Sequence, residues 1–314
     1  MEALLGLLEL QAGVVSWKQA LERGLTPNDI RRMVRRRDLT VVHRGVYVSH
    51  TGPLTWLQRA WAAVLALEPA ALSHSSALRA ADGPGRLGDE PVVHVAVDRD
   101  RNVAAPPGVN LHRMSNFADR VQWNCSPPRV RIEEALLDRA ADATSDFAAI
   151  EVLADGVQSR HTTANRLSVA LSGRPRIARR DFLTGVLTDL ADGTCSVLEH
   201  GYLTRVERPH GLAIARRQVT ASARGPIYRD VEYRAQGLVV ELDGRLFHDN
   251  ASARDRDLDR DLDAAVDGLL TVRIGWGQVF ERPCATAHRV GKLLQARGWS
   301  GVVTLCPSCA CAVS

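Results

Sequence analysis

The sequence predicts an α+β protein built from several domains. Three observations support this class: short helices followed by a β-rich pair at the N-terminus, a helical run in the middle, and alternating helices and strands towards the C-terminus. A chain of 314 residues is long enough for separate cores. We expect domains at 1–52, 53–190 and 194–300, followed by a cysteine-containing tail at 301–314.

The composition is that of an ordinary water-soluble protein. Hydrophobic residues make up 45% of the chain, charged residues 24%, and the net charge is +4. Arginine outnumbers lysine, which favours forked contacts with phosphate, although a GC-rich coding sequence also enriches arginine. No apolar run is long enough to span a bilayer and no signal-peptide pattern opens the chain, so we expect a cytoplasmic protein without membrane contact.

The N-terminal segment predicts three short helices and a hairpin. Ser16 is placed to cap the second helix, and Thr26-Pro27 to cap and open the third. Two short β-rich runs then pivot at His43-Arg44-Gly45. This order is that of a winged helix-turn-helix, in which the third helix reads DNA and the hairpin is the wing. The predicted DNA-binding residues are Arg31, Arg32, Arg35, Arg36 and Arg44.

A plainer alternative is a small helical domain whose arginines form a solvated face. The concentration of arginines on the third helix favours DNA binding. The segment also resembles the N-terminal winged-helix domain of AbiEi-type antitoxins, most specifically in the wing sequence RGVY that begins at Arg44. That resemblance implies DNA as a partner, often the operator of the protein's own operon, and leaves a partner toxin and homo-oligomers open.

The middle region predicts strands and helices without visible chemistry. His94 and His112 lie on two predicted strands and can face each other, but two histidines without a third ligand do not predict a metal site. Ser73, before His74, is expected to cap the next helix, because no third member of a catalytic triad is evident. Helices are expected over 130–192.

The C-terminal region predicts a hairpin that carries carboxylates. Asp230 lies on one apolar segment, and Glu241 and Asp243 lie on the next. Residues two apart in a strand share a face, so Glu241 and Asp243 belong together, and Asp230 can join them from the facing strand. Such a cluster favours a hard divalent cation, Mg²⁺ or Mn²⁺. The alternative is a solvated hairpin edge.

The predicted element order from Ser196 onwards is α-β-β-β-α-β-α. In that order and in its motifs, the region resembles the PD-(D/E)xK restriction-endonuclease-like α/β fold, and specifically a domain family related to very-short-patch-repair (Vsr) endonucleases. Glu199 matches the acid of the first helix, where its favourable position in the helix dipole is the structural alternative. The site residues that the resemblance implies are Glu199, Asp230, Glu241, Asp243, His248 and Arg256.

The resemblance implies metal-dependent hydrolysis of phosphodiester bonds. Asp230 and Glu241, with Asp243 as a further candidate, would hold the ion, and Arg254 or Arg256 would offset charge on the phosphate. Asp243 stands where the wider superfamily has lysine, so proton transfer is assigned to His248, which without the resemblance would be a surface-loop histidine.

Two functions therefore remain open. The first is a DNA endonuclease targeted by the N-terminal domain, and the presence of all the site residues favours it. The second is a non-catalytic, antitoxin-like transcriptional regulator whose nuclease fold has been repurposed. For an enzyme, RNA and nicked or mismatched DNA stay open as substrates.

The tail contains the cysteine-rich sequence CPSCAC. Cys306, Cys309 and Cys311 offer a Cys-x-x-Cys pair and one further thiol, but a closed zinc site needs four ligands. Cys284 is a candidate contributor, although nothing in the sequence requires it. We expect a disordered tail exposed to oxidants, with Zn²⁺ as the alternative.

Overall fold

A computed structural model describes residues 2–82, 91–192, 196–221, 227–243 and 268–310. The chain divides into a first unit, Met1–Arg139, and a second unit, Ala140–Ser314. Both units contain helices and sheets, so the predicted α+β class is confirmed. No helix in the described part of the chain is long and apolar enough to cross a membrane.

The first unit begins with three helices and a hairpin, followed by a mixed region. Its elements are α1 Glu2–Leu10, β1 Val14–Ser16, α2 Trp17–Glu22, α3 Pro27–Arg36, β2 Thr40–His43, β3 Val46–Val48, α4 Trp56–Ala66, β4 Ala71–Leu72, α5 His74–Asp82, β5 Val93–Asp98, β6 Val109–Met114, α6 Phe117–Arg120, β7 Val121–Gln122 and β8 Arg129–Val130.

The N-terminal part of this unit folds around one small sheet. β3 is the central strand and pairs antiparallel with both β1 and β2. Leu4 of α1, Ile30 of α3 and Tyr47 of β3 share one buried cluster, so the helices pack on the hairpin. The three helices and the hairpin agree with the prediction. β1 was not predicted, because three residues form a strand there only through a tertiary partner.

A second sheet fills the rest of the first unit, in the order β6-β5-β4-β8-β7. The two strands predicted to carry His94 and His112 are present as β5 and β6. They are parallel, with Ala96 opposite His112 in the register. Ser73 lies directly before α5, where the backbone N–H of Ala77 donates to its carbonyl oxygen.

The second unit combines helices with a single described sheet. α7, Ile132–Ala141, runs across the boundary between the units. The remaining helices and strands are α8 Asp146–Gln158, α9 Ala164–Ser172, α10 Arg180–Asp192, α11 Ser196–Gly201, β9 Arg216–Ala221, β10 Ile227–Tyr233, β11 Leu238–Asp243, β12 Leu270–Gly275, α12 Pro283–Ala296 and α13 Pro307–Ala310. The helices predicted over 130–192 are therefore confirmed.

The sheet of the second unit has the order β12-β11-β10-β9. The first three strands in sequence form an antiparallel meander, and β12 joins β11 in parallel. This matches the predicted order of strands, while the helix predicted between β11 and β12 lies outside the described residues. α11 continues through a π-helical turn, Tyr202–Glu207, and a 3-10 turn, Arg208–His210, before Gly211 ends the helical segment at φ 61°.

Candidate nucleic-acid interface

The ends of α3 are fixed by local hydrogen bonds. At its start, the backbone N–H of Asp29 donates to the Thr26 hydroxyl at 3.1 Å, and the Thr26 N–H donates to the Asp29 carboxylate at 3.0 Å. This reciprocal pair is a capping box, and Pro27 fits the first turn, which needs no backbone N–H. At the far end, Arg37 adopts a left-handed conformation, and its N–H donates to the carbonyls of the last turn. The predicted cap is confirmed.

The two faces of α3 are sharply different. Ile30 is 1% exposed, and Met33 and Val34 pack against the same core. The opposite face is exposed and contains Arg31, Arg32, Arg35 and Arg36. The core contacts therefore determine which side of the helix presents the arginines.

The four arginines differ in their partners. Arg31 donates to the Asn28 side chain at 2.9 Å, and Arg32 forms an ion pair with Asp29 at 2.8 Å. Within the described residues, Arg35 and Arg36 have no ion pair or side-chain hydrogen bond. Their guanidinium groups are available to an anion without breaking an internal contact.

The hairpin presents a further arginine at its turn. Gly45 has φ 75°, a conformation that glycine adopts without strain, and its carbonyl accepts from the Trp17 N–H at 2.7 Å. Arg44 is exposed at this fixed turn. His43 is partly buried beside it, and burial lowers its pKa. The basic surface, defined as Arg31, Arg32, Arg35, Arg36 and Arg44, thus comes from α3 and the hairpin.

The predicted carboxylates of the second unit lie on the expected strands. Asp230 lies on β10 and Glu241 on β11, and these strands pair antiparallel, with Val231 opposite Val240. Glu241 and Asp243 are half-buried and flank the buried Leu242. The predicted alternation is therefore observed over the last four residues of β11, whereas its first three residues are all buried.

Glu241 has a cation beside it that the sequence did not indicate. The strands β11 and β12 pair Glu241 with Arg273, and Arg273 Nε lies 3.4 Å from Glu241 Oε2. Arg273 lies far along the chain, and only the parallel pairing of the two strands brings it to this carboxylate. Part of the negative charge predicted to attract a metal is thus balanced by protein.

The other residues of the predicted nuclease site are not assembled in the described part of the chain. The side chain of Asp230 and the whole of His248 and Arg256 lie outside the described residues. Glu199 is half-buried on α11. The described carboxylates, Glu241 and Asp243, do not complete a site for Mg²⁺ or Mn²⁺ by themselves, so the metal and its ligands remain a prediction.

A buried hydrogen-bond network lies beside the carboxylate strands. The hydroxyls of Tyr202 and Tyr233 are 3.0 Å apart, Tyr233 donates to Glu207 at 3.3 Å, and Arg217 donates to the same carboxylate oxygen at 2.8 Å. Burial raises the pKa of both tyrosines. The network joins the π-helical turn to β9 and β10, so it positions the sheet rather than offering a group to solvent.

The first unit contains a match to a known family. Residues 2–50 match the family model described as a transcriptional regulator, AbiEi antitoxin. The predicted resemblance of the N-terminal segment is thereby confirmed. The match runs from α1 to just beyond β3 and includes the whole basic surface, and residues 2–50 are called the AbiEi-type segment below.

The remaining comparisons give no match or a distant one. No curated protein matches the chain. A crystal structure of the RV2827C protein from Mycobacterium tuberculosis is similar over 61% of this chain and 78% of that chain, with 20% identity and a TM-score of 0.40. A likeness this distant carries no functional argument.

Three histidines meet in the first unit, where only two were expected to approach each other. His94 Nδ1 lies 2.9 Å from His112 Nε2, and the ring of His74 stacks on that of His112 with centroids 3.8 Å apart. His74 begins α5 with φ 49° and is buried. The sequence prediction included only His94 and His112, and the start of α5 brings His74 to the two strands.

Three cysteines and a histidine meet in the second unit. The possible ligand atoms of His210, Cys284, Cys306 and Cys309 all lie within 4.8 Å of one another. Cys306 and Cys309 are each 8% exposed, so the expectation of an exposed tail is wrong for these two residues. The tail folds back so that these two thiols lie beside His210 and Cys284. Cys311 lies outside the described residues.

Proposed function

We propose that the chain is a DNA-binding transcriptional regulator of the AbiEi antitoxin type. The exposed arginine face of α3, located within the AbiEi-type segment, is the observation that carries this proposal. In this proposal the segment is a winged helix, with α3 as the reading helix and the β2–β3 hairpin as the wing. The predicted non-catalytic function is thus preferred to the endonuclease.

The contacts within α3 support different contacts with DNA for its individual arginines. Arg35 and Arg36, without internal partners in the described chain, are suited to neutralise backbone phosphates. Arg32 is held by Asp29 in a defined orientation, which suits a directed contact with a base edge. Arg44 would reach the backbone from the wing. Such binding is dominated by charge and is therefore sensitive to salt.

The proposal is tested by footprinting the purified full-length chain on the DNA upstream of its own coding sequence. We expect one protected segment that survives an excess of unrelated duplex, because a regulator must distinguish its operator from other DNA. The variant Arg35→Ala/Arg36→Ala should lose this protection, whereas Arg289→Ala, an exposed arginine of α12 in the second unit, should retain it.

Protection equally spread over all DNA, or no binding at low salt, would contradict the regulator. Circular dichroism of each variant verifies that the helices are intact. A partner toxin would be recognised separately, by co-purification with the wild-type chain and not with an unrelated control.

A second candidate, the predicted Mg²⁺-dependent endonuclease, is favoured by the antiparallel pairing of β10, which carries Asp230, with β11, which carries Glu241. It predicts that the chain nicks supercoiled plasmid DNA when Mg²⁺ or Mn²⁺ is added. Asp230→Ala and Glu241→Ala should abolish nicking, while Glu281→Gln, an exposed surface carboxylate, should not. Failure of the wild-type chain to cut any nucleic acid with either metal would exclude this activity and leave the DNA-binding proposal intact.

A further inference from the structure

We propose that His210, Cys284, Cys306 and Cys309 bind one Zn²⁺ in a closed, tetrahedral structural site in the second unit. The four residues come from three places in the chain: the 3-10 turn after α11, the start of α12, and the tail. The site is independent of the proposed DNA binding, which belongs to the first unit.

The separations of the ligand atoms carry the proposal. Cys284 Sγ lies 3.6 Å from Cys306 Sγ, Cys306 Sγ lies 3.7 Å from Cys309 Sγ, and Cys309 Sγ lies 3.4 Å from His210 Nε2. With Zn–S bonds of about 2.3 Å and Zn–N bonds of about 2.0 Å, a tetrahedron has edges of about 3.8 Å between sulfurs and about 3.5 Å between sulfur and nitrogen. The observed distances agree with these edges, whereas a disulfide requires about 2.0 Å.

The imidazole of His210 is oriented for a metal. Its Nδ1 lies 2.9 Å from the carbonyl oxygen of Val206, and the side chain is 1% exposed. A carbonyl can only accept, so Nδ1 carries the proton and the lone pair of Nε2 faces the thiols. A backbone carbonyl behind the ligating ring is the usual support of a zinc-bound histidine.

The three-histidine cluster of the first unit does not fit a metal as well. Two nitrogens on the same tetrahedral zinc would lie about 3.3 Å apart. The 2.9 Å separation between His94 and His112 is that of a hydrogen bond, in which one ring donates and the other accepts. This contrast makes the histidine cluster a useful internal control.

The site would fasten the tail to the body of the second unit. The Thr304 N–H donates to the His210 carbonyl at 2.9 Å, just before the two tail cysteines. Val303 packs where Gly291 leaves room on α12: a Cβ at Gly291 would lie 2.1 Å from Val303 Cγ2. Four protein ligands leave no open position for substrate, so the ion would stabilise the fold rather than catalyse a reaction.

The site is tested by measuring the metal content of the full-length chain. The chain is produced with zinc in the growth medium and purified without a metal-affinity column. We expect one zinc per chain. Cys306→Ser and Cys309→Ser should each lose it, whereas Cys125→Ser, Cys311→Ser and His112→Asn should retain it. Replacing zinc by cobalt in the wild-type chain should give the intense absorption of tetrahedral cobalt bound by thiolates.

The cobalt spectrum does not depend on any variant being able to fold. A wild-type chain that binds neither zinc nor cobalt, and whose thiols all react freely with a thiol reagent, would overturn the proposal. It would also be overturned if His112→Asn lost the zinc while the cysteine variants kept it. Neither result would affect DNA binding by the first unit.

Discussion

Arg32 Nη2 lies 2.8 Å from Asp29 Oδ1, one turn earlier on α3, and this ion pair distinguishes Arg32 from its neighbours. Arg35 and Arg36, one turn later, have no such partner within the described residues. A face that looks uniformly basic in the sequence therefore contains arginines that differ in whether an internal ion pair must break before they bind phosphate. Because a guanidinium already paired to a carboxylate gives up that pair to bind phosphate, its net contribution to DNA affinity is smaller.

Removing Arg35 and Arg36 should flatten the salt dependence of DNA binding more than removing Arg32. Each arginine that neutralises a phosphate contributes about 0.9 to the slope of log K against log salt, so Arg35→Ala/Arg36→Ala should reduce the slope by about 2. The reduction for Arg32→Ala should be smaller than that for Arg35→Ala alone. Fluorescence anisotropy with one labelled duplex at several salt concentrations measures all three, and equal slopes for all variants would show that α3 does not contact the backbone.

The wing should contribute through Arg44. Arg44→Ala should weaken DNA binding and leave the midpoint of thermal unfolding nearly unchanged, because the side chain is exposed and has no partner in the described chain. Arg44→Lys should recover part of the affinity if the contact is to phosphate. An unchanged DNA affinity in Arg44→Ala would show that Arg44 of the wing does not contribute to DNA binding.

The capping box should be visible in the titration of Asp29. The Thr26 hydroxyl, then the Thr26 N–H, and finally Arg32 hold the pKa of this carboxyl below its ordinary value of 3.8. A carboxyl whose pKa is lowered by folding stabilises the fold above its unfolded pKa, and that contribution disappears as pH falls through the folded pKa. NMR titration should therefore give Asp29 a midpoint below 3.8, and Thr26→Ala should raise it. A midpoint at or above the ordinary value would contradict the cap.

The buried network beside β10 should contribute measurably to the stability of the second unit. Tyr233→Phe removes the hydroxyl shared by Tyr202 and Glu207, and leaving buried partners unsatisfied costs about 1–3 kcal/mol. Tyr47→Phe is the matched control, because the Tyr47 hydroxyl has no hydrogen bond within the described residues. Urea unfolding compares the two variants, and equal free energies of unfolding would show that the network is not stabilising.

The packing of α12 against the tail can be tested by adding side-chain volume at Gly291 and removing it at Val303. Gly291→Ala should destabilise the second unit by about 1–3 kcal/mol, because the new methyl group overlaps Val303. Val303→Ala in the same chain should restore part of the stability. If the double variant is as unstable as Gly291→Ala, the strain does not arise from the tail.

Local sequence patterns predicted the elements that depend on neighbouring residues. The cap at Thr26, the turn at Gly45 and the buried alternation around Leu242 follow from hydrogen bonds and side-chain periodicity within a few residues. The family resemblance of the N-terminal segment rested on such patterns too.

Long-range partners were not predictable in this way. Arg273 reaches Glu241, and Cys284 reaches Cys306, only after strands and helices distant in sequence have packed together. No periodic pattern connects His74, at the start of a helix, with the two strands that follow it. The sequence therefore identified candidate ligand types but not their combinations.

Whether α3 reads DNA is tested by comparing the DNA affinity of two proteins. These are the wild-type chain and the variant Arg31→Ala/Arg32→Ala/Arg35→Ala/Arg36→Ala. Anisotropy on the protected upstream duplex should show tight binding that weakens steeply as salt rises, and the four-arginine variant should lose both the affinity and most of the salt slope. Wild-type binding that is absent, or that the variant reproduces in full, would contradict a DNA-binding function of the AbiEi-type segment.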